Sequence, residues 1–225
     1  MTGMRKLVLA LAAAVVLPAA ALSGPAGFDG AWQAIDPPSL LRPAAGGAPP
    51  LLPAAQAIYQ RNIADRARHQ LSFDGFSKCL PPGIPRLLLL ATPFRVVAGT
   101  STVGMFFQWN HAIRLIHLGI PHYDPIGPAY LGQSVGRWQG GTLLVDTTDF
   151  NDTTLLDDAL PHSTQLHVIE RLRLVADDLD DQLTIDDPAT FAHSWSFDLR
   201  FRRLPDATAL VEDYCLRRSG MLGAK

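Results

Sequence analysis

The amino-acid sequence predicts a mostly β fold: an antiparallel meander rolled into a barrel or a strongly bent sheet, with one helix near the N-terminus. Three observations predict it. From Pro93 onward the chain reads as short runs of β-branched, aromatic and aliphatic residues separated by turns. Trp195 to Leu204 alternates cleanly, with Trp195, Phe197, Leu199 and Phe201 on one face and Ser196, Asp198, Arg200 and Arg202 on the other. Gln139-Gly140-Gly141 lies between Gly136-Arg137-Trp138 and Leu143-Leu144-Val145, and glycine there supplies the positive φ of a tight hairpin. A long meander hides its edges by curling, so a barrel is favoured and a β-sandwich is the second choice.

Met1 to Lys6 carries Arg5 and Lys6, and an apolar run from Leu7 to Leu22 follows, interrupted by Pro18. Ala21-Leu22-Ser23 then offers small residues for cleavage before Gly24, with Ala19-Ala20-Ala21 as a second site. This is the pattern of a signal peptide over residues 1–23, predicting a periplasmic or secreted protein with no membrane span after cleavage. Residues 24–53 form a first strand at Phe28 to Gln33 and a Pro/Ala-rich connector, and residues 54–225 a single β domain. Within that domain Ala54 to about Leu71 has helical spacing through Ile58, Tyr59, Ile63 and Ala67. Cys79 to Arg86 holds three prolines and reads as a rigid loop into Leu87–Leu90.

The remaining strands are Val96-Val97, Val103–Trp109, Ile113–Leu118, Leu166–Val175 and Leu183–Ile185. An acidic turn at Asp177–Asp181 is expected between the last two, and Leu210–Cys215 closes the chain.

The chain has 225 residues, of which 48% are hydrophobic and 18% charged, enough apolar material for a core. Losing Arg5 and Lys6 with the signal moves the formal charge from -2 to -4. A mildly acidic protein has no electrostatic reason to bind nucleic acid or anionic lipid. Cys79 and Cys215 are the two cysteines, and an oxidising compartment favours a disulfide between them over two buried thiols.

Several stretches together resemble a family of exported bacterial proteins to which no activity is assigned. They are Cys79-Leu80-Pro81-Pro82-Gly83-Ile84-Pro85-Arg86, Gly132 through Thr147, Phe150-Asn151-Asp152, and His162-Ser163 with Leu166 through Arg171. The resemblance covers roughly residue 54 to the C-terminus and implies fold and export, not a reaction. The family pattern has His where Gln133 stands, an acid where Gln139 stands and Asp where Gly141 stands. Gly30-Ala31-Trp32 is also similar to the opening Gly-x-Trp of lipocalin-like barrels.

Glu170 is the most informative candidate for chemistry. It falls in the middle of the apolar face Leu166, Val168, Leu172, Leu174, where a carboxylate must be paired or protonated. Two readings stand: a general base, or a structural ion pair with Arg114 or Arg137. Asp146 is a second candidate on its strand, bonding Thr147 or Thr148 or anchoring an arginine. His122 and His162 lie in proline-bounded loops, as catalytic groups or as backbone hydrogen-bonders. His162, His167 and Glu170 lack zinc-type spacing, so no metal is expected. Asn151 stands in a polar turn and is placed among the binding residues with Arg114, Arg137, Trp109 and Trp138. Phe107 and Met105 add apolar wall.

Gly132-Gln133-Ser134-Val135-Gly136 matches a serine-hydrolase elbow, but a hairpin rather than a helix follows it. The sequence therefore predicts a cofactor-free barrel holding a small hydrophobic ligand, or an enzyme moving protons (isomerase or lyase). A non-catalytic lipocalin-like binder, a solidly packed interaction module and a hydrolase using Ser134 are the alternatives.

Overall fold

The structure is a computed structural model that describes residues 27–123 and 127–220. The expected signal segment lies outside the described residues. Among the described residues nine strands close into one barrel in the order β1 to β9. They are β1 Gly30–Ala34, β2 Phe94–Ala98, β3 Thr102–Phe107, β4 Ile113–Leu118, β5 Gln133–Gln139, β6 Thr142–Thr148, β7 His167–Val175, β8 Asp178–Asp186 and β9 Trp195–Arg203.

Closure removes the edges that a meander would leave unpaired. β1 makes it by pairing with β2 on one side and β9 on the other, Trp32 facing Phe94 and Arg203. The inward positions carry Trp32, Phe94, Met105, Phe107, Ile116 and Leu143, continued by Val168, Leu172, Leu183 and Phe201. All of these are buried, so side chains fill the interior.

The strand pattern holds with three differences. Every neighbour pair is antiparallel except β4 and β5, which run parallel. Their pairing covers only Ile116 to Leu118 against Ser134 to Gly136, and a crossover from Gly119 to Gly132 joins them. Asp178 to Asp181 lies inside β8 rather than in a turn, because the reversal takes place at Ala176-Asp177, with Ala176 at φ 54°. The C-terminal segment does not form a strand. β9 is the last one, and Cys215 opens the short helix α2, Cys215–Arg218. Cys79 and Cys215 are disulfide-bonded, fastening that segment to the proline-rich loop.

Helix α1, Pro53–Ala67, opens on a proline, whose missing N–H costs nothing in the first turn. It packs outside the barrel, where Asn62 Nδ2 donates to the Ala159 carbonyl at 2.9 Å and Arg66 pairs with Asp158. Behind it Arg86 grips Asp74 through two bonds of 2.7 and 2.8 Å. The buried Asp157 carboxylate accepts from the backbone N–H groups of Leu41, Ala159 and Leu160. These anchors hold the Pro/Ala-rich connector on the barrel flank although it has little core of its own. Among the described residues no helix is long and apolar enough to cross a membrane.

Candidate functional site

The wall formed by β4 to β7 carries a polar cluster on each face. Inside, Arg114 of β4 donates from both terminal nitrogens to Glu170 of β7, with Nη1 2.9 Å from Oε1 and Nη2 on Oε2. Its Nη2 also reaches Thr147 Oγ1 of β6 at 2.9 Å, and its Nε reaches Ser134 Oγ of β5 at 3.1 Å. Arg114 is 2% exposed and Glu170 0%. A buried guanidinium needs its fork filled by acceptors, and here it is filled.

Glu170 is therefore a structural ion-pair partner. Arg114 is that partner, and Arg137 is not: it points outward from β5 and is exposed. Ser134 is the second residue of β5, 3% exposed and bonded to Arg114 and Thr147. It lacks the strand-to-helix corner that an exposed nucleophile requires.

Asp181 of β8 completes the interior. The register places Leu172 opposite Asp181 and Glu170 opposite Leu183, so the two carboxyls are diagonal neighbours on one face. Asp181 is 1% exposed, and neither of its oxygens has a hydrogen-bond partner. Burial, followed by the charge of Glu170, holds its carboxyl well above the usual carboxylate range.

Outside, four side chains from four segments meet. Asp146 of β6 points outward, and its Oδ1 lies 2.9 Å from His122 Nε2 and 2.7 Å from His167 Nε2. Gln133 of β5 holds the crossover in place. Its Nε2 donates to the Tyr123 carbonyl at 2.9 Å, and its Oε1 accepts the Tyr123 N–H at 3.0 Å. Those two bonds set the amide orientation, so His122 Nδ1, 3.0 Å from the same Oε1, is a donor. Gly132 makes the approach feasible: at φ 64°, a Cβ there would stand 2.5 Å from the Thr148 carbonyl oxygen.

Beyond the end of the β4–β5 pairing the wall leaves a pocket of about 240 Å³. Ile113, Leu115, His117, Tyr123, Leu131 and Gln133 line it. Ile113, Leu115 and Tyr123 are 53%, 47% and 50% exposed, so its rim is apolar and open to solvent. A larger open groove of about 800 Å³ crosses the outer face of β7 to β9. Its arginines and aspartates interleave, as in the 3.0 Å Arg200–Asp180 pair, and it offers no converging reactive group.

The other expected site residues do not gather there. His162 is buried beside Phe150, with Nε2 2.7 Å from Thr154 Oγ1 and Nδ1 2.9 Å from the Ser163 carbonyl. The carbonyl requires Nδ1 to donate, which leaves Nε2 to accept the threonine proton. Burial lowers the affinity of this imidazole for a second proton. His162 thus keeps different partners from His167 and Glu170, and among the described residues no group of three His, Cys, Asp or Glu side chains is placed to hold a metal ion.

Asn151 makes a local turn, accepting from Thr153 N and Oγ1. Trp109 stacks on Phe76, and Trp138 meets Phe28 edge-on. Met105 and Phe107 are buried in the core, and the two tryptophans pack against it through these ring contacts.

Sequence reasoning missed Gln133 as an organiser, His167 as the second imidazole on Asp146, and Asp181. The signal for Asp181 was the alternation Leu179-Asp181-Leu183, obscured by reading four nearby aspartates as a turn.

The fold and the two clusters define a closed nine-stranded β-barrel with a filled, ionised interior and a histidine–aspartate cluster on its outer wall. No family model matches the chain, and no curated protein matches it.

Proposed function

We propose that this is an exported small-molecule-binding barrel whose site is on the outer wall, where β4 and β5 part, rather than in the interior. The carrying observation is the convergence of His122 and His167 on one Asp146 oxygen next to Gln133 and Tyr123, which line the adjoining pocket. A pocket that sets Ile113, Leu115 and Leu131 beside His117, Tyr123 and Gln133 suits a small molecule with one apolar face and a polar group, and about 240 Å³ accommodates a single ring. His167, with Nε2 turned to Asp146, keeps Nδ1 for a ligand, as an acid–base group oriented by a carboxylate does. Binding is the function; proton transfer on the bound molecule is the chemistry this dyad suits. The Cys79–Cys215 bond supports an oxidising destination, the periplasm or the exterior.

The test uses phenol, indole and benzoate as probes, followed by NMR of the histidine rings and of the Tyr123 amide. Binding that shifts His122, His167 and Tyr123, and that Leu115→Glu abolishes, is the expected result. Probes that leave these signals unmoved, or that shift interior methyl groups instead, refute the outer site. Turnover is tested separately with His167→Gln, which should retain binding and lose rate.

A further inference from the structure

We propose that the barrel interior is built to hold one proton: Asp181 is a carboxylic acid that donates to the Glu170 carboxylate, while Glu170 is the counter-ion of Arg114. This inference is independent of the outer site. It rests first on charge balance. Among the described residues the strands turn one guanidinium, Arg114, and two carboxyls, Glu170 and Asp181, into the interior, and the guanidinium is committed to Glu170 by two bonds. Neither Asp181 oxygen makes a hydrogen bond of ordinary geometry, and the Arg114 guanidinium and the Arg171 N–H, which lie near it and favour its anion, are outweighed by its burial and by Glu170.

The charged groups facing it are Arg114 from β4 and Glu170 from β7. Its register partners on β7 and β9, Leu172 and Leu199, are apolar. A second unpaired anion in such a place is strongly disfavoured. A proton removes that charge and supplies the missing hydrogen bond, with Glu170 as the nearby acceptor. Folding then takes up a proton at Asp181, and the burial that raises its proton affinity acts in the same direction.

The consequence is a barrel that tightens in acid. A carboxyl with a raised folded-state pKa contributes its full stability below the unfolded value, about 3.9. That contribution declines as pH rises through the folded-state value. An exported protein meets external pH directly, so this interior acts as a proton-dependent element of its stability.

The decisive measurement needs no variant. Infrared spectra of the folded protein should contain the C=O stretch of a protonated carboxylic acid that moves on labelling with [13C]aspartate. The band should persist above the pH at which exposed carboxylates have ionised. Asp181→Asn should abolish it. Glu170→Gln should abolish it too, because Asp181 then ionises as counter-ion to Arg114. The unfolding-midpoint difference between Asp181→Asn and wild type should grow in favour of the variant as pH rises. Absence of an aspartate-sensitive band from the wild-type protein overturns the proposal. So does its survival in Asp181→Asn, or a midpoint difference that is flat with pH.

Discussion

Neighbouring residues on the same strands of this barrel enter two opposed environments. Ser134, Thr147 and Glu170 turn inward and surround Arg114, while Gln133, Asp146 and His167 turn outward and gather around His122. Both clusters pair a carboxylate with a nitrogen base, but their solvent exposure differs. The side chains of the Arg114–Glu170 pair are 2% and 0% exposed, and those of His122 and Asp146 are 32% and 43% exposed. Inside, water cannot replace a lost partner, so an unmatched group such as Asp181 is costly. Outside, water can replace it, so the same chemistry is cheap to maintain and free to act. A polar cluster's burial, more than its composition, decides whether it specifies structure or is available for function.

That contrast is broken most readily at Arg114. Arg114→Met should cost about 3–5 kcal/mol in urea unfolding, since it strands a buried carboxylate. An effect below about 1 kcal/mol would show that water reaches the interior. The paired replacement Arg114→Met with Glu170→Leu should recover most of that loss, because the cost lies in the stranded charge and not in the absence of the pair. Failure to recover would mean that the ion pair itself directs the β4–β5 pairing.

His162 sharpens the comparison as a buried group that must stay neutral. Its folded-state pKa is depressed by burial, so stability is complete above the unfolded value of about 6.5 and is lost as pH falls through the folded value. Thermal unfolding between pH 8 and pH 4 should show this acid-side loss, and His162→Gln should flatten it. The slope is opposite in sign to that of Asp181, so the two variants separate the contributions. The smallest effect belongs to the outer cluster. Asp146→Asn should change stability by less than about 1 kcal/mol while weakening probe binding at the pocket. A larger loss of stability would assign Asp146 to the framework.

Much of the fold was legible because a barrel strand reports its two faces at every second residue. Glu170 announced its inward position this way, as did the alternation of β9. The same rule applied to β8 exposes Asp181, yet four aspartates in five residues resemble a turn when local composition is weighed before periodicity. The outer cluster was less legible. His122, Gln133, Asp146 and His167 come from four segments, and no spacing in the chain encodes their meeting. Proline-bounded loops pointed to His122 and also to His162, whose local setting looks alike but whose burial is opposite.

The amino-acid order alone carried strand periodicity, the hairpin glycines, the proline-rich loop and the need of Glu170 for a partner, because each depends on neighbours in the chain. Tertiary structure decided that Arg114 rather than Arg137 meets Glu170, that β4 and β5 run parallel, and that two imidazoles share one aspartate. Those outcomes depend on which strands closure of the barrel brings side by side, and on which of their faces is sealed from water.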